Sequence, residues 1–228
     1  MSPESAPDSP GTLRDAVSLR RGRFLYFPVA PGRLEFSVEV RRALLRERPR
    51  VVAVELPASL EEAYRRAVER LPQMSVILYP EESGEEDRAV YVPVEPADPF
   101  VEAVRTALEI GAEVVFADPD LGERPHVPGQ YPDAYSLRYV GLDKYVEAYR
   151  VYPQSRSEDI VAHASGFAWK LQGADPLASV CVVLSLNLLD PVLDAMEEPQ
   201  PRPRLRPFRE GVELLNPHPE CLAEITLE

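Results

Sequence analysis

Histidine and cysteine are scarce in this chain, at three and two in 228 residues. None of them lies in the two phrases, VVAVEL and EVVFADPD, where acidic side chains stand at the ends of apolar runs. The imidazole and thiolate donors that complete most hydrolytic and zinc sites are therefore missing from the acidic positions. Other signatures are missing too. There is no GxGxxG after a strand, no GxxxxGK[ST] and no GxSxG, which removes the usual dinucleotide, phosphate-loop and serine-hydrolase readings. Glycine is also sparse, at 11 residues against 25 prolines. Pro57, Pro80, Pro99 and Pro191 fall just after strand-like runs or just before helix-like ones, where a fixed φ suits a turn or a first helical position. Proline thus punctuates the elements.

Clustered positive charge is lacking in the sequence. A formal net charge of −13 argues against binding nucleic acid or an anionic membrane surface, because neutralising phosphates takes grouped Lys and Arg. The longest apolar run, roughly residues 176–189, falls short of the ~20 residues that span a bilayer and carries Ser179, Ser185 and Asn187. MSPESAPDSPGTLRD has neither the basic start nor the apolar stretch of a signal peptide. Cys181 and Cys221 are far apart and outside any CxxC, which fits reduced thiols in a cytoplasmic protein better than a disulfide framework or structural zinc. Cys181 lies among valines, where burial raises a thiol pKa rather than activating it. No internal repeat is evident.

What is present is an alternation of strands and helices. FLYFPV (24–29), VVAVEL (51–56), EVVFAD (113–118) and ASVCVVLSL (178–186) read as sheet strands. MSVILY (74–79) and AVYVPV (89–94) flank the acidic EESGEEDR as a hairpin-like excursion. Helices are expected over 34–48, from Ser59 with Glu62 as a capping box, from Asp98 as N-cap with Pro99 in the first turn to a stop at Gly111, over 136–150, and over 158–171. This order predicts an α/β fold, a three-layer sandwich with a mainly parallel central sheet and helices on both faces. The expected division is a flexible N-terminus over 1–22, the α/β domain over 23–196, and a Pro/Arg-rich arm, EEPQPRPRLRPF, opening 197–228. The last segment, GVELLNPHPECLAEITLE, reads as the start of a further helix, so the chain is expected to be a piece of a longer protein with a C-terminal domain to follow.

In an open parallel sheet, side chains at the carboxyl ends of neighbouring strands meet in one crevice. Glu55 and Asp118 are accordingly candidates for a shared ligand, with Asp120 beside them. Each has a structural alternative. Glu55 can cap a helix N-terminus or pair with Arg105 or Arg138; Asp118 and Asp120 sit in ADPDLG, ordinary turn chemistry. His163 lies on a helix near Asp159 and Phe167 by spacing and is either a packed histidine or a catalytic one. His126 belongs to ERPHVPGQYPDAY, a Pro- and Tyr-rich loop long enough to cover the strand ends as a lid. His218 is read as incidental.

The succession RERPRVVAVELP, then EAVRTALEIGAEVVFADPD, then a helix and a last hydrophobic strand resembles the TraB, ChaN and Tiki-like proteins, a superfamily that also takes in the erythromycin-esterase fold. The resemblance covers roughly residues 23–196. It implies an acidic site residue at Glu55 and another at Asp118, and it adds Arg156 and Glu158, on the helix of His163, as ligand contacts. Members thought to be metal-dependent hydrolases carry a Gly-x-x-His motif at the first and last strands. Here those places hold residues 28–31 and 185–188, without histidine. No cofactor is expected: a divalent metal would find two carboxylates and Asn187 but no motif. The leading expectation is a catalytically degenerate TraB/ChaN-like domain that takes a small molecule or protein partner at Glu55, Asp118, Asp120, His126, Arg138, Arg156 and Glu158. The alternatives are a metal-dependent peptide or ester hydrolase with the carboxylates Glu55 and Asp118 and a distant histidine, His163 or His126, as catalytic groups, and a scaffold domain of a larger protein.

Overall fold

The computed structural model describes residues 19–81, 89–121, 130–204 and 208–218. Its centre is a five-stranded sheet in the order β1 (Arg20–Arg21), β2 (Phe24–Val29), β7 (Val180–Ser185), β3 (Val51–Pro57), β6 (Glu113–Asp118). All neighbours run parallel except the short β1, antiparallel to β2. β7, last of the parallel strands in the chain, is inserted at the centre. It pairs Phe24 through Val29 on one side and Val51 through Val54 on the other. Every residue of β7 is buried, which is why VCVVLS reads as an unbroken apolar run instead of alternating.

The helices follow from the direction of each crossover. α1 (Leu34–Glu47) carries the chain from β2 to β3, and α3 (Pro99–Ile110) carries it into β6; the two pack on each other, and α3 lies against β3 and β6. The return from β6 to β7 runs the other way across the sheet through α4 (Leu137–Val140), α5 (Leu142–Tyr149) and α6 (Glu158–Gln172). Right-handed crossovers in opposite directions put α6 on the opposite face, where it packs on β6 and on α7 (Leu189–Ala195). The expected three-layer α/β sandwich with a mainly parallel sheet is what the chain forms.

Local chemistry sets the ends of these elements. The Asp98 carboxylate accepts from the Phe100 and Val101 N–H groups, Pro99 fills the first turn, and Gly111 closes α3 at φ 73°. The expected capping box at Ser59 does not form. Residues Ala58–Leu60 make a 3-10 turn ahead of α2 (Glu61–Val68), and the Ser59 hydroxyl donates instead to the Asp120 carboxylate at 2.6 Å. The hydroxyl is oriented by a tertiary carboxylate and caps no local N–H. The helix expected over 136–150 is split at Gly141, φ 79°.

β4 (Ser75–Pro80) and β5 (Ala89–Val94) form the expected antiparallel excursion, outside the central sheet. Their third partner departs from expectation: Glu213–Leu215, within the segment read as the start of a further helix, is strand β8, antiparallel to β4. An exposed edge of β4 offers backbone partners that no local helical propensity can match at three residues. The chain reaches it along α6. There the Gln200 N–H donates to the Gln172 side chain at 2.9 Å, Ser165 donates to Gln200 at 2.8 Å, and Arg202 lies over Trp169. The sheet also starts before residue 23, since β1 pairs with β2 and Leu19 is buried.

Gly166 is where α6 crosses the Asp-Pro-Asp turn after β6. A Cβ there would stand 2.6 Å from Pro119 Cβ. Gly166→Ala is expected to destabilise by about 1–2 kcal/mol in urea denaturation, because the overpacking exceeds the gain in helix propensity. Gly173→Ala, meeting only ordinary contacts beyond 3.4 Å, should be neutral or stabilising.

Candidate functional site

The carboxyl ends of β2, β7, β3 and β6 lie side by side, and the acidic residues singled out in the sequence stand there, all buried: Glu55, Asp118 and Asp120. The β3–β7 backbone ladder stops at Val54 and Val183. Beyond it the Glu55 carboxylate accepts from the Ser185 N–H at 2.5 Å. A side chain thus continues the pairing that the backbone gives up, at the entry to the 3-10 turn Leu186–Leu188. The arginines considered as partners lie elsewhere: Arg105 pairs with Glu102, and exposed Arg138 rests over Tyr135.

Asp118 is the turn-former the sequence allows. Its Oδ1 accepts from the Asp120 N–H at 2.8 Å, and Asp120 takes the left-handed conformation, φ 53°. Asp120 is bound by three donors: the Ser59 hydroxyl and both Nε and Nη2 of Arg209. Arg209, from the arm, is itself held between this carboxylate and the Tyr79 ring, 4.5 Å away. With side-chain exposures of 10% and 6%, the pair is a buried ion pair that ties the arm to the main sheet. Nothing in the local sequence marks the 89-residue partnership.

One further candidate is brought to Asp118. His163 on α6 is 3% exposed, and its Nε2 lies 3.9 Å from Asp118 Oδ1, beyond hydrogen-bond reach and without a partner among the described residues. Seven residues on, Lys170 donates to the Phe116 carbonyl at 2.8 Å. Burial pulls its pKa down, partly opposed by Asp118 and Glu61. Glu158 is exposed in the first turn of α6, and Arg156 pairs with Asp194 at 2.5 Å. His126 lies outside the described residues. Among the described residues, no three His, Cys, Asp or Glu side chains gather as a metal-holding group. Cys181 is buried in β7, its thiol pushed up to about 12 by desolvation.

A cavity of about 280 Å³ opens one residue beyond the Glu55 bond. Its walls come from the segment linking α5 to α6 (Arg150, Tyr152, Gln154, Ser155, Arg156) and from the exit of β7 (Leu186, Asn187, Asp190, Pro191). Arg150 grips Asp190 through two bonds, at 3.1 and 2.5 Å, and fixes α5 against α7. Gln154 donates to the Tyr149 and Tyr152 carbonyls. Arg156 was a sequence candidate; Gln154, Arg150 and Asp190 were not, and the 40-residue pairing of the last two leaves no local signature.

Beside this cavity is a tyrosine group, buried at Tyr145 and Tyr149 and half-buried at Tyr131. Tyr131 stacks on Tyr149, their centroids 5.6 Å apart, and the Tyr145 hydroxyl donates to the Pro132 carbonyl at 2.6 Å. Desolvation raises the phenol pKa of both stacked rings, with the Glu55 charge adding to it at Tyr131. Burial likewise pushes Tyr26 and Tyr145 up to about 12.

No family model matches the chain, and the searches of curated proteins and of solved structures found no match either. Among the described residues, no helix is long and apolar enough to cross a membrane.

Replacing Arg209 by Ala leaves a buried carboxylate short of its cation and is expected to cost about 3 kcal/mol. Arg209→Ala, Asp120→Asn and the double variant should show strong coupling in denaturant titrations; additive losses would refute the ion pair as the tie between arm and sheet. Tyrosines whose pKa is raised on folding stabilise fully below the unfolded value of about 10 and lose that contribution as pH rises towards about 12. Lys170, lowered on folding, acts with the opposite sign up to about 10.4. Melting temperature is therefore expected to fall steeply above pH 10, and less so in Tyr145→Phe, once its neutral-pH loss of about 1 kcal/mol for the missing hydrogen bond is subtracted.

Proposed function

We propose that this chain is a small-molecule binding domain that takes its ligand in the cavity at the carboxyl end of β7, and that it does not hydrolyse it. The observation that carries the reading is the contrast between two neighbouring sets of polar groups. Glu55, Asp118 and Asp120 are buried and accept hydrogen bonds from the protein itself. The cavity walls instead present Asn187 and Ser155, whose side chains make no hydrogen bond among the described residues. In open α/β sheets, ligands bind beyond the strand carboxyl ends where neighbouring crossovers leave for opposite faces. β7 occupies that place: it continues into α7, which packs with α6, while β2 continues into α1, which packs with α3.

Kinship with the TraB, ChaN and Tiki-like proteins is part of this proposal, supported by parallel strands that end in Glu55 and Asp118. The ligand position differs from the sequence expectation by one strand. A cytoplasmic setting is proposed with it, supported by a free, buried Cys181 thiol.

One observation favours a second reading, a metal-dependent hydrolase. The Nε2 atom of His163 is buried, unpartnered among the described residues and close to Asp118. Two experiments separate the readings. A fragment screen by NMR is expected to shift resonances of residues 150–156 and 186–191. Metal analysis after incubation with Zn²⁺, Mn²⁺ or Fe²⁺ is expected to give the same content for the parent and His163→Gln. Stoichiometric metal lost in His163→Gln, together with ester or peptide hydrolysis lost in the same variant, would replace the first reading by the second.

A further inference from the structure

Resting on the binding reading above, we infer that the cavity at the end of β7 recognises a small monocarboxylate, with Arg156 as the exchangeable clamp and Asn187 as the hydrogen-bonding group beside it. The two arginines of the wall are unequal. Arg150 and Asp190 are 16% and 19% exposed and joined by two bonds, so this pair is locked. Arg156 and Asp194 are 44% and 57% exposed and joined by a single contact. Water competes for such an exposed pair and salt screens it, so its net strength is small. Asp194 is not part of the cavity wall. Arg156 can therefore turn its fork from Asp194 to a ligand without leaving a buried charge behind.

Charge and size narrow the ligand. Arg150 and Arg156 against Asp190 leave one formal positive charge in the wall, matching a monoanion better than a phosphate dianion. A guanidinium offers two parallel N–H donors in the geometry of a carboxylate. The volume of about 280 Å³ sits at the lower limit for ligand pockets, which selects a compact molecule. The Asn187 amide and Ser155 hydroxyl add donors and acceptors for a hydroxyl or amide substituent.

The test is an NMR titration of the whole chain with sodium lactate, sodium phosphate and glycerol, following the Asn187 side-chain amide and Arg156 Nε–H. Lactate is expected to shift both saturably and to bind at least tenfold more weakly to Arg156→Gln. Asp194→Asn, which removes the competing carboxylate, is expected to tighten lactate several-fold, a gain that structural damage would not produce. Both positions are exposed, and melting temperatures report whether the variants fold. Lactate affinity unchanged in both variants would overturn the inference, as would phosphate binding more tightly than lactate. Glycerol shifting the cavity resonances while lactate does not would overturn it but leave the binding reading standing. A cavity that responds to no probe here and to no compound of the fragment screen would remove both.

Discussion

The structure depends on one constraint: the strand that closes the parallel sheet must enter it between two strands already made. β2 and β3 do not pair with each other; both pair with β7. Until residues 180–185 arrive, the centre of the sheet has no backbone partners on two facing edges. That is why β7 carries only residues that tolerate complete burial and why its flanks, Glu55 and the 3-10 turn at Leu186, are where the polar chemistry begins. The stacking of α1 on α3 and of α6 on α7 follows from the same insertion, since the chain must cross the sheet in both directions to achieve it.

At the carboxyl ends, polar groups divide by what they can reach. Backbone N–H groups left over by the end of a ladder need acceptors, and Glu55 and Asp118 supply them. Asp120 meets a cation delivered from the far end of the described chain, so a residue that reads as part of a site serves as an anchor for the arm. One strand over, the α5–α6 segment and the exit of β7 leave a cavity in which the Asn187 amide and the Ser155 hydroxyl are not used up by the described fold. A binding role is economical in this setting, because the scaffold around the cavity is already fixed by the Arg150 pair.

Much of the fold was legible because its signals are local. β2 occupies the six residues of FLYFPV, and α3 starts at Asp98 and stops at Gly111 as its cap residues predict. Ser59 shows where such reasoning ends: its spacing to Glu62 satisfies a capping rule, yet its hydroxyl donates to a carboxylate sixty-one residues away and caps nothing. Glu213–Leu215 shows the same from the other side, because three residues beside an open strand edge become a strand whatever their own preference. The candidate site was legible in its acidic members and illegible in its cavity.

By itself, then, the amino-acid order determined most of the strands and helices, that the sheet is mainly parallel, and that carboxylates stand at its carboxyl end. Periodicity, caps and turn residues act over a few positions and survive in a linear reading. Only the tertiary structure decided that β7 lies at the centre, that Arg209 belongs to Asp120, that His163 faces Asp118, and that Arg150, Arg156 and Asn187 surround one cavity. Those outcomes depend on which distant groups are brought within a few ångströms, and that is set by burial and by the direction of crossovers, which no short stretch of sequence records.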